Sequence, residues 1–158
     1  MNELARQVGR RLRASGAMLV TAESCTGGWV SEVVTSVSGS SRWFERGFVT
    51  YSDVAKRQML GVNKKTLRKH GAVSQETARE MTKGALKRSR GTIAVAVTGV
   101  AGPTGGSAAK PVGTVCFSWR TGKITRSETQ HFKGNRESVR RQSVVRALEG
   151  VLEMLDGG

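Results

Sequence analysis

The reactive side chains of this chain gather in one short stretch, "TAESCTGG", residues 21–28. An acid, three hydroxyls and a thiol stand there, ahead of paired glycines. Ser24, Cys25 and Thr26 each offer a nucleophilic atom. The stretch follows the apolar run "AMLV", so it reads as a strand end turning into a helix start. Such a turn leaves backbone N–H groups free and presents the positive end of the helix dipole. A hydroxyl at that point lies beside ready-made oxyanion donors. Gly27 and Gly28 remove side-chain bulk, so a ligand can approach the backbone. The same residues equally suit a plain helix cap, because Ser and Thr are favoured N-caps. A thiol at a helix start can be acidified, yet no histidine stands in a recognisable relation to Cys25. Local sequence alone leaves cap and nucleophile open.

A nucleophile needs a base. His70 ends a basic helical segment and His131 ends a strand pattern, and neither belongs to a motif. A Ser–Lys pair is the remaining option. Lys56 follows "GFVTYSDVA", in the first turn of a helix just past a strand, although a surface lysine would read the same way. A second candidate feature is the loop "TGVAGPTGG", with Gly99, Gly102, Gly105 and Gly106. It can form an N–H nest for phosphate or carboxylate, or simply be a long flexible loop. It is neither a Walker A loop nor GxGxxG. "SAAK", residues 107–110, matches the S-x-x-K of penicillin-recognising enzymes. It lies between Gly106 and Pro111, in a loop rather than at a helix start, and reads as coincidence. Arg140 and Arg141, four and three residues before Val144, border the apolar face of the last helix. Half-buried arginine usually pairs with carboxylate or phosphate.

These residues must be positioned by regular elements. Leu4, Val8 and Leu12 recur at helical spacing, ended by Gly16. "AMLVTA" is a short buried strand, and "WVSEVVTSV" a helix to about Val37. "GFVTY", 47–51, reads as a strand, with Ser52 or Asp53 capping a helix to about Leu60. Asn63 and Ser74 cap two further helices. "TIAVAV", 92–97, is a continuous apolar run, the pattern of a strand buried on both faces. "VGTVCFSW" and "KITRSETQHF" form a hairpin across "RTG", with Val115, Phe117 and Trp119 alternating. Asn135 caps a last helix with Val144, Leu148, Val151 and Leu155 on one face. The expected fold is α/β, a single-domain three-layer α/β/α sandwich around a mixed sheet.

Composition narrows the classes. The 158 residues suit one domain, 1–158, with one sizeable core. No apolar stretch approaches the ~20 residues of a membrane span. The N-terminus mixes acid and base without a hydrophobic block, unlike a signal peptide. Cys25 and Cys116 form no zinc pattern or disulfide framework, as in a reducing cytosol. Neither HExxH nor CxxC occurs, so no metal or cofactor is expected. The outlier is charge: 26 Lys and Arg against 12 Asp and Glu give +14. Basic residues are spread along the chain. They fit a solvated surface, steering of an anionic substrate, or a polyanion partner.

Taken together, "TAESCTGGWV", "GSSRWFERGFVTYSDVAKRQMLGV", "HGAVSQETAREM", "GVAGPTGGSAAKPVGTV" and "NRESVRRQ" resemble the CinA C-terminal domain family. More narrowly they resemble its stand-alone bacterial nicotinamide mononucleotide (NMN) deamidases. The resemblance covers essentially the whole chain. It implies a cytoplasmic, metal-free amidohydrolase that turns NMN into nicotinate mononucleotide and ammonia, in pyridine nucleotide salvage. It implies Ser24 as nucleophile and Lys56 as base. The loop with Gly102, Thr104, Gly105 and Gly106 becomes a substrate-binding wall. Thr26, as cap or substrate contact, and Gly27 and Gly28 become part of the substrate site, with amides from Cys25 to Gly28 holding the oxyanion. Glu23 is expected to orient Lys56 or bind substrate, and Tyr51 to hydrogen-bond in the site. The ribose phosphate is expected on the glycine loop or on Arg140 and Arg141. A homodimer or higher homo-oligomer is expected. A lysine base at neutral pH also demands a depressed pKa. The competing class is a basic nucleic-acid-associated accessory module. Low aromatic content, 5%, and the lack of any nucleic-acid module signature count against it.

Overall fold

The computed structural model describes residues 1–157. Three strands are buried along most of their length, and these occupy the centre. β1 (Leu19–Glu23) lies between β2 (Phe44–Val49) and β3 (Ile93–Gly99), parallel to both. β4 (Thr114–Thr121) runs antiparallel to β3, and β5 (Thr125–His131) antiparallel to β4. The mixed sheet has the order β2-β1-β3-β4-β5. β2 begins at Phe44, earlier than the sequence pattern suggests, because "FERG" sits on a sheet edge where charge is tolerated.

Six helices cover the two faces: α1 (Asn2–Ser15), α2 (Trp29–Thr35), α3 (Asp53–Leu60), α4 (Lys64–His70), α5 (Gln75–Lys87) and α6 (Arg136–Leu155). Alternation along the strands divides the core. Leu19, Ile93, Val95, Val97, Val115, Phe117 and Trp119 face α1, α2 and α6. Val20, Ala22, Ala94 and Ala96 face Leu60, Val62, Met81 and Ala85. Each fully buried large apolar side chain contributes ~1.5–3 kcal/mol. The alanine face lets α5 lie close. A Cβ on Gly84 would stand 1.8 Å from the Leu60 carbonyl oxygen, so glycine is required where α5 crosses the end of α3.

The caps follow the sequence. Ser52, Asn63, Ser74 and Asn135 each accept a backbone N–H at the start of α3, α4, α5 and α6. The β1–α2, β2–α3 and β3–β4 connections all leave from the carboxyl ends of the three parallel strands, the usual place for a site in such sheets.

Candidate active site

The turn after β1 is held from within. Glu23, 1% exposed, ends the strand and folds its carboxylate back over the start of α2. One oxygen accepts from Thr26 Oγ1 at 2.6 Å, Gly28 N at 3.2 Å and Val30 N at 2.9 Å. The other accepts from the N–H and hydroxyl of Ser31 at 2.9 and 2.6 Å. This fixes the role of Glu23 as an anchor of the turn. It bonds neither Lys56 nor the cavity wall, contrary to the expectation from sequence. Gly27 and Gly28 have φ of 58° and 104°, which a side chain would strain. The turn needs them for its shape, and neither lines the cavity described below.

Ser24 follows Glu23 and does not cap α2; the N-cap is Gly28, with no side-chain cap bond. Its Oγ lies 2.9 Å from Lys56 Nζ. Lys56, in the first turn of α3, is 1% exposed and also donates to the Thr50 carbonyl at 2.9 Å. Burial pushes its pKa down, partly countered by the negative charge of Asp53. Thirty-two residues apart in sequence, the two side chains meet because β1 and β2 are parallel neighbours ending at the same edge. Cys25 is different. Burial raises its thiol to about 12, so it carries no nucleophilic thiolate at neutral pH.

The dyad opens into a cavity of about 380 Å³. Ser24, Cys25, Lys56, Tyr51 and Asp53 form one side, and Thr98, Gly99, Val100, Ala101, Gly102, Thr104 and Gly105 the other. Gly106 lies outside this wall; its Cα is turned towards the Val112 backbone. Tyr51 is 63% exposed, at the mouth.

The arginine at the cavity is Arg136, which sequence reasoning missed. Its guanidinium donates to the Gly102 carbonyl at 2.8 Å and to Tyr51 Oη at 3.1 Å, bridging the two walls. Arg140 and Arg141 do not line the cavity. Arg140 donates Nε to the Cys25 carbonyl and Nη2 to the Thr26 carbonyl, each at 3.1 Å. Arg141 is exposed and pairs with Glu137 at 3.2 Å. The overlooked signal was periodic: Arg136 precedes Arg140 by four residues, so both share a face of α6 that Arg141 leaves.

Most of the charge lies elsewhere. Arg57, Lys64, Lys65, Arg68, Lys69, Lys83 and Lys87 are exposed on α3, α4 and α5. Within the cavity lining the only basic residues are Lys56 and Arg136. A second, polar cavity of about 510 Å³ lies beyond Val73, lined among others by His70, Lys110, Cys116 and His131. No helix among the described residues is long and apolar enough to cross a membrane.

Chemically, a serine hydroxyl against a desolvated amine in a cleft suits acyl transfer from an amide or ester. Known proteins bear on that reading. The family model of the CinA C-terminal domain matches residues 1–155. The nicotinamide-nucleotide amidohydrolase PncC of Escherichia coli is 55% identical over 150 residues, covering 93% of this chain and 90% of that protein. The protein of the same name from Pseudomonas putida is 52% identical over 151 residues, covering 96% and 94%. A crystal structure of a CinA superfamily protein from Klebsiella pneumoniae superposes with a TM-score of 0.96 at 38% identity, covering 99% of this chain and 98% of that one.

Proposed function

Because the chain belongs to the CinA C-terminal domain family, we propose that it is a nicotinamide-nucleotide amidohydrolase working through a Ser24–Lys56 acyl-enzyme. The observation that carries the mechanism is the 2.9 Å contact between Lys56 Nζ and Ser24 Oγ on the wall of a cavity. The substrate follows from the amidohydrolase relatives, which match nearly end to end.

In the neutral amine, one N–H is donated to the Thr50 carbonyl, and the lone pair is left for the Ser24 proton. Ser24 Oγ attacks the carboxamide carbon of NMN, and the carbonyl electron pair moves to oxygen. The proton passes to Lys56. Of the turn amides, those of Gly27 and Gly28 are already bonded to the Ser24 carbonyl and to Glu23. Cys25 lines the cavity and the fully buried Thr26 does not, so the Cys25 N–H is the turn amide that serves the oxyanion. The tetrahedral intermediate collapses as Lys56 returns its proton to the leaving nitrogen, releasing ammonia. Water then attacks the ester, again deprotonated by Lys56, and frees nicotinate mononucleotide and Ser24.

Arg136 supplies a cation for the phosphate at the cavity mouth, and Thr104 and Gly105 flank the nucleotide. Ammonia release from NMN tests the proposal. Ser24→Ala is expected to lose at least a thousandfold in kcat, while Cys25→Ala keeps most activity. Substantial turnover by Ser24→Ala would sink the acyl-enzyme.

A further inference from the structure

Asp53 stands on the cavity wall with its carboxylate unclaimed. Of the 12 acidic residues, all but Asp53 and Glu32 hold a side-chain hydrogen bond or an ion pair among the described residues. Glu32 is exposed on α2, away from the cavity lining. Asp53 is the only acid in that lining. In a chain with 26 basic residues, a carboxylate left unpaired beside a serine–lysine pair calls for a partner from outside the chain.

Asp53 precedes Lys56 by three residues and shares its face of α3, where such pairs lie roughly 5–6 Å apart at Cβ. Its charge reaches Lys56, whose pKa it raises against the larger downward push of burial. NMN brings two opposite charges to this cavity. Its phosphate is an anion. Its nicotinamide ring is a pyridinium, whose positive nitrogen lies a few bonds from the carboxamide carbon. With that carbon at Ser24 Oγ, itself 2.9 Å from Lys56 Nζ, the ring lies within reach of groups that flank Lys56. Lys56 is neutral when it works as a base. The lining then offers one fixed cation, Arg136, and one fixed anion, Asp53. Arg136 is engaged with the Gly102 carbonyl and Tyr51 Oη rather than with Asp53. The two charges are left for opposite ends of the substrate.

We propose that Asp53 is a specificity residue of the amidohydrolase: its carboxylate faces the pyridinium cation of NMN and selects the charged nicotinamide ring over a neutral aromatic amide of the same shape. This rests on the nicotinamide-nucleotide reading. Two unit charges at roughly 5–6 Å, in a dielectric between that of water and that of a protein surface, change affinity by about tenfold.

The test measures Kd by calorimetry for NMN and for benzamide riboside 5′-monophosphate, in a Ser24→Ala background that holds substrate without turnover. The second ligand keeps the carboxamide, ribose and phosphate and puts a neutral phenyl ring in place of the pyridinium. Asp53→Asn is expected to weaken NMN about tenfold and to leave the benzamide nucleotide within twofold. Asp53→Glu, which keeps the charge, is expected to hold most of the preference. Glu32→Gln removes the same unit of charge from elsewhere and is expected to match the parent for both ligands. Asp53→Asn also lets the Lys56 pKa fall further, which makes the cavity less positive and favours a cation, so Lys56 cannot mimic the expected loss. Equal weakening of both ligands, or an unchanged NMN affinity, overturns the proposal. So does an equal loss in Glu32→Gln, which reduces the effect to net charge. Urea unfolding checks the fold, and where Asp53→Asn is unfolded, Asp53→Ser takes its place. A parent that binds NMN but releases no ammonia fails the amidohydrolase reading alone, and the two Kd values still decide on Asp53. An active Ser24→Ala fails the acyl-enzyme, and KM for NMN against the inhibition constant of the benzamide nucleotide then decides.

Discussion

Replacing Glu23 by glutamine separates an anchor from a substrate contact. Glutamine keeps the shape, removes the charge and turns one terminal oxygen into a donor. The least damaging orientation puts nitrogen in place of the oxygen that faces Ser31, since the other oxygen accepts three bonds. The Ser31 hydroxyl can turn to accept, donating instead to Thr21 Oγ1, 2.8 Å away. The Ser31 N–H cannot turn. One buried N–H is thus left without an acceptor, at about 1–3 kcal/mol, and the three surviving bonds lose charge assistance, at about 1 kcal/mol each. Relief from burying a charge offsets part of this. A net loss of about 3 kcal/mol is expected, a large share of the ~5–15 kcal/mol of a typical domain. At ~2–4 °C per kcal/mol for a chain of this size, Tm falls by about 6–12 °C. Thermal and urea unfolding, followed by two probes, measure it. Because the turn carries Ser24, kcat falls as well, while KM for NMN stays within twofold. A Tm within about 2 °C of the parent, with KM raised tenfold, would show that Glu23 binds substrate and that the anchoring argument is wrong.

Three further outcomes follow from the geometry. The lowered pKa of Lys56 makes kcat/KM rise with pH through that pKa, as the amine becomes a base. Between it and the unfolded value, 10.5, the unfolded chain holds a proton that the folded chain lacks. Unfolding free energy therefore rises with pH across that window, and Lys56→Met, titrated by denaturant unfolding, is expected to abolish this slope. Arg136→Met removes a cation at the mouth and the bridge between Gly102 and Tyr51. Hydrogen bonds to a charged group contribute ~1.5–3 kcal/mol, so steady-state kinetics with NMN are expected to show KM raised at least tenfold. Gly84→Ala forces α5 off the Leu60 carbonyl and is expected to cost ~1–3 kcal/mol in urea unfolding, as overpacking does.

Much of this was legible in the sequence because it is local. "TIAVAV" gives a doubly buried strand, and Asn63, Ser74 and Asn135 cap as their types demand. The meeting of Ser24 and Lys56 is long-range and needed the family resemblance; no local rule joins residues on adjacent strands. The arginines are set apart for a geometric reason. Stepping back from Val144 placed Arg140 and Arg141 together, but one residue is a 100° turn of the helix. That turn sends Arg140 to the Ser24 loop and Arg141 to solvent, and leaves Arg136, one turn earlier, as the cavity residue. Glu23 was expected to orient Lys56 or bind substrate because it is an acid beside a candidate nucleophile, whereas its carboxylate lies on the turn itself. Its five donors are backbone and hydroxyl groups that appear only once the turn has formed.

The antiparallel return of β4 brings both ends of the segment 100–113 back to the edge of the sheet that carries Ser24. Most of the wall facing Ser24 and Lys56 is therefore a single excursion of chain, exposed from Pro103 to Ala109. Ser24 and Lys56 hang from strand and helix ends that take no part in that excursion. The loop and the serine–lysine pair are thus carried by separate elements of the fold. On the proposed Ser24–Lys56 mechanism, exchanging residues 103–109 is expected to change which amide is accepted while the 2.9 Å meeting of serine and lysine stays fixed.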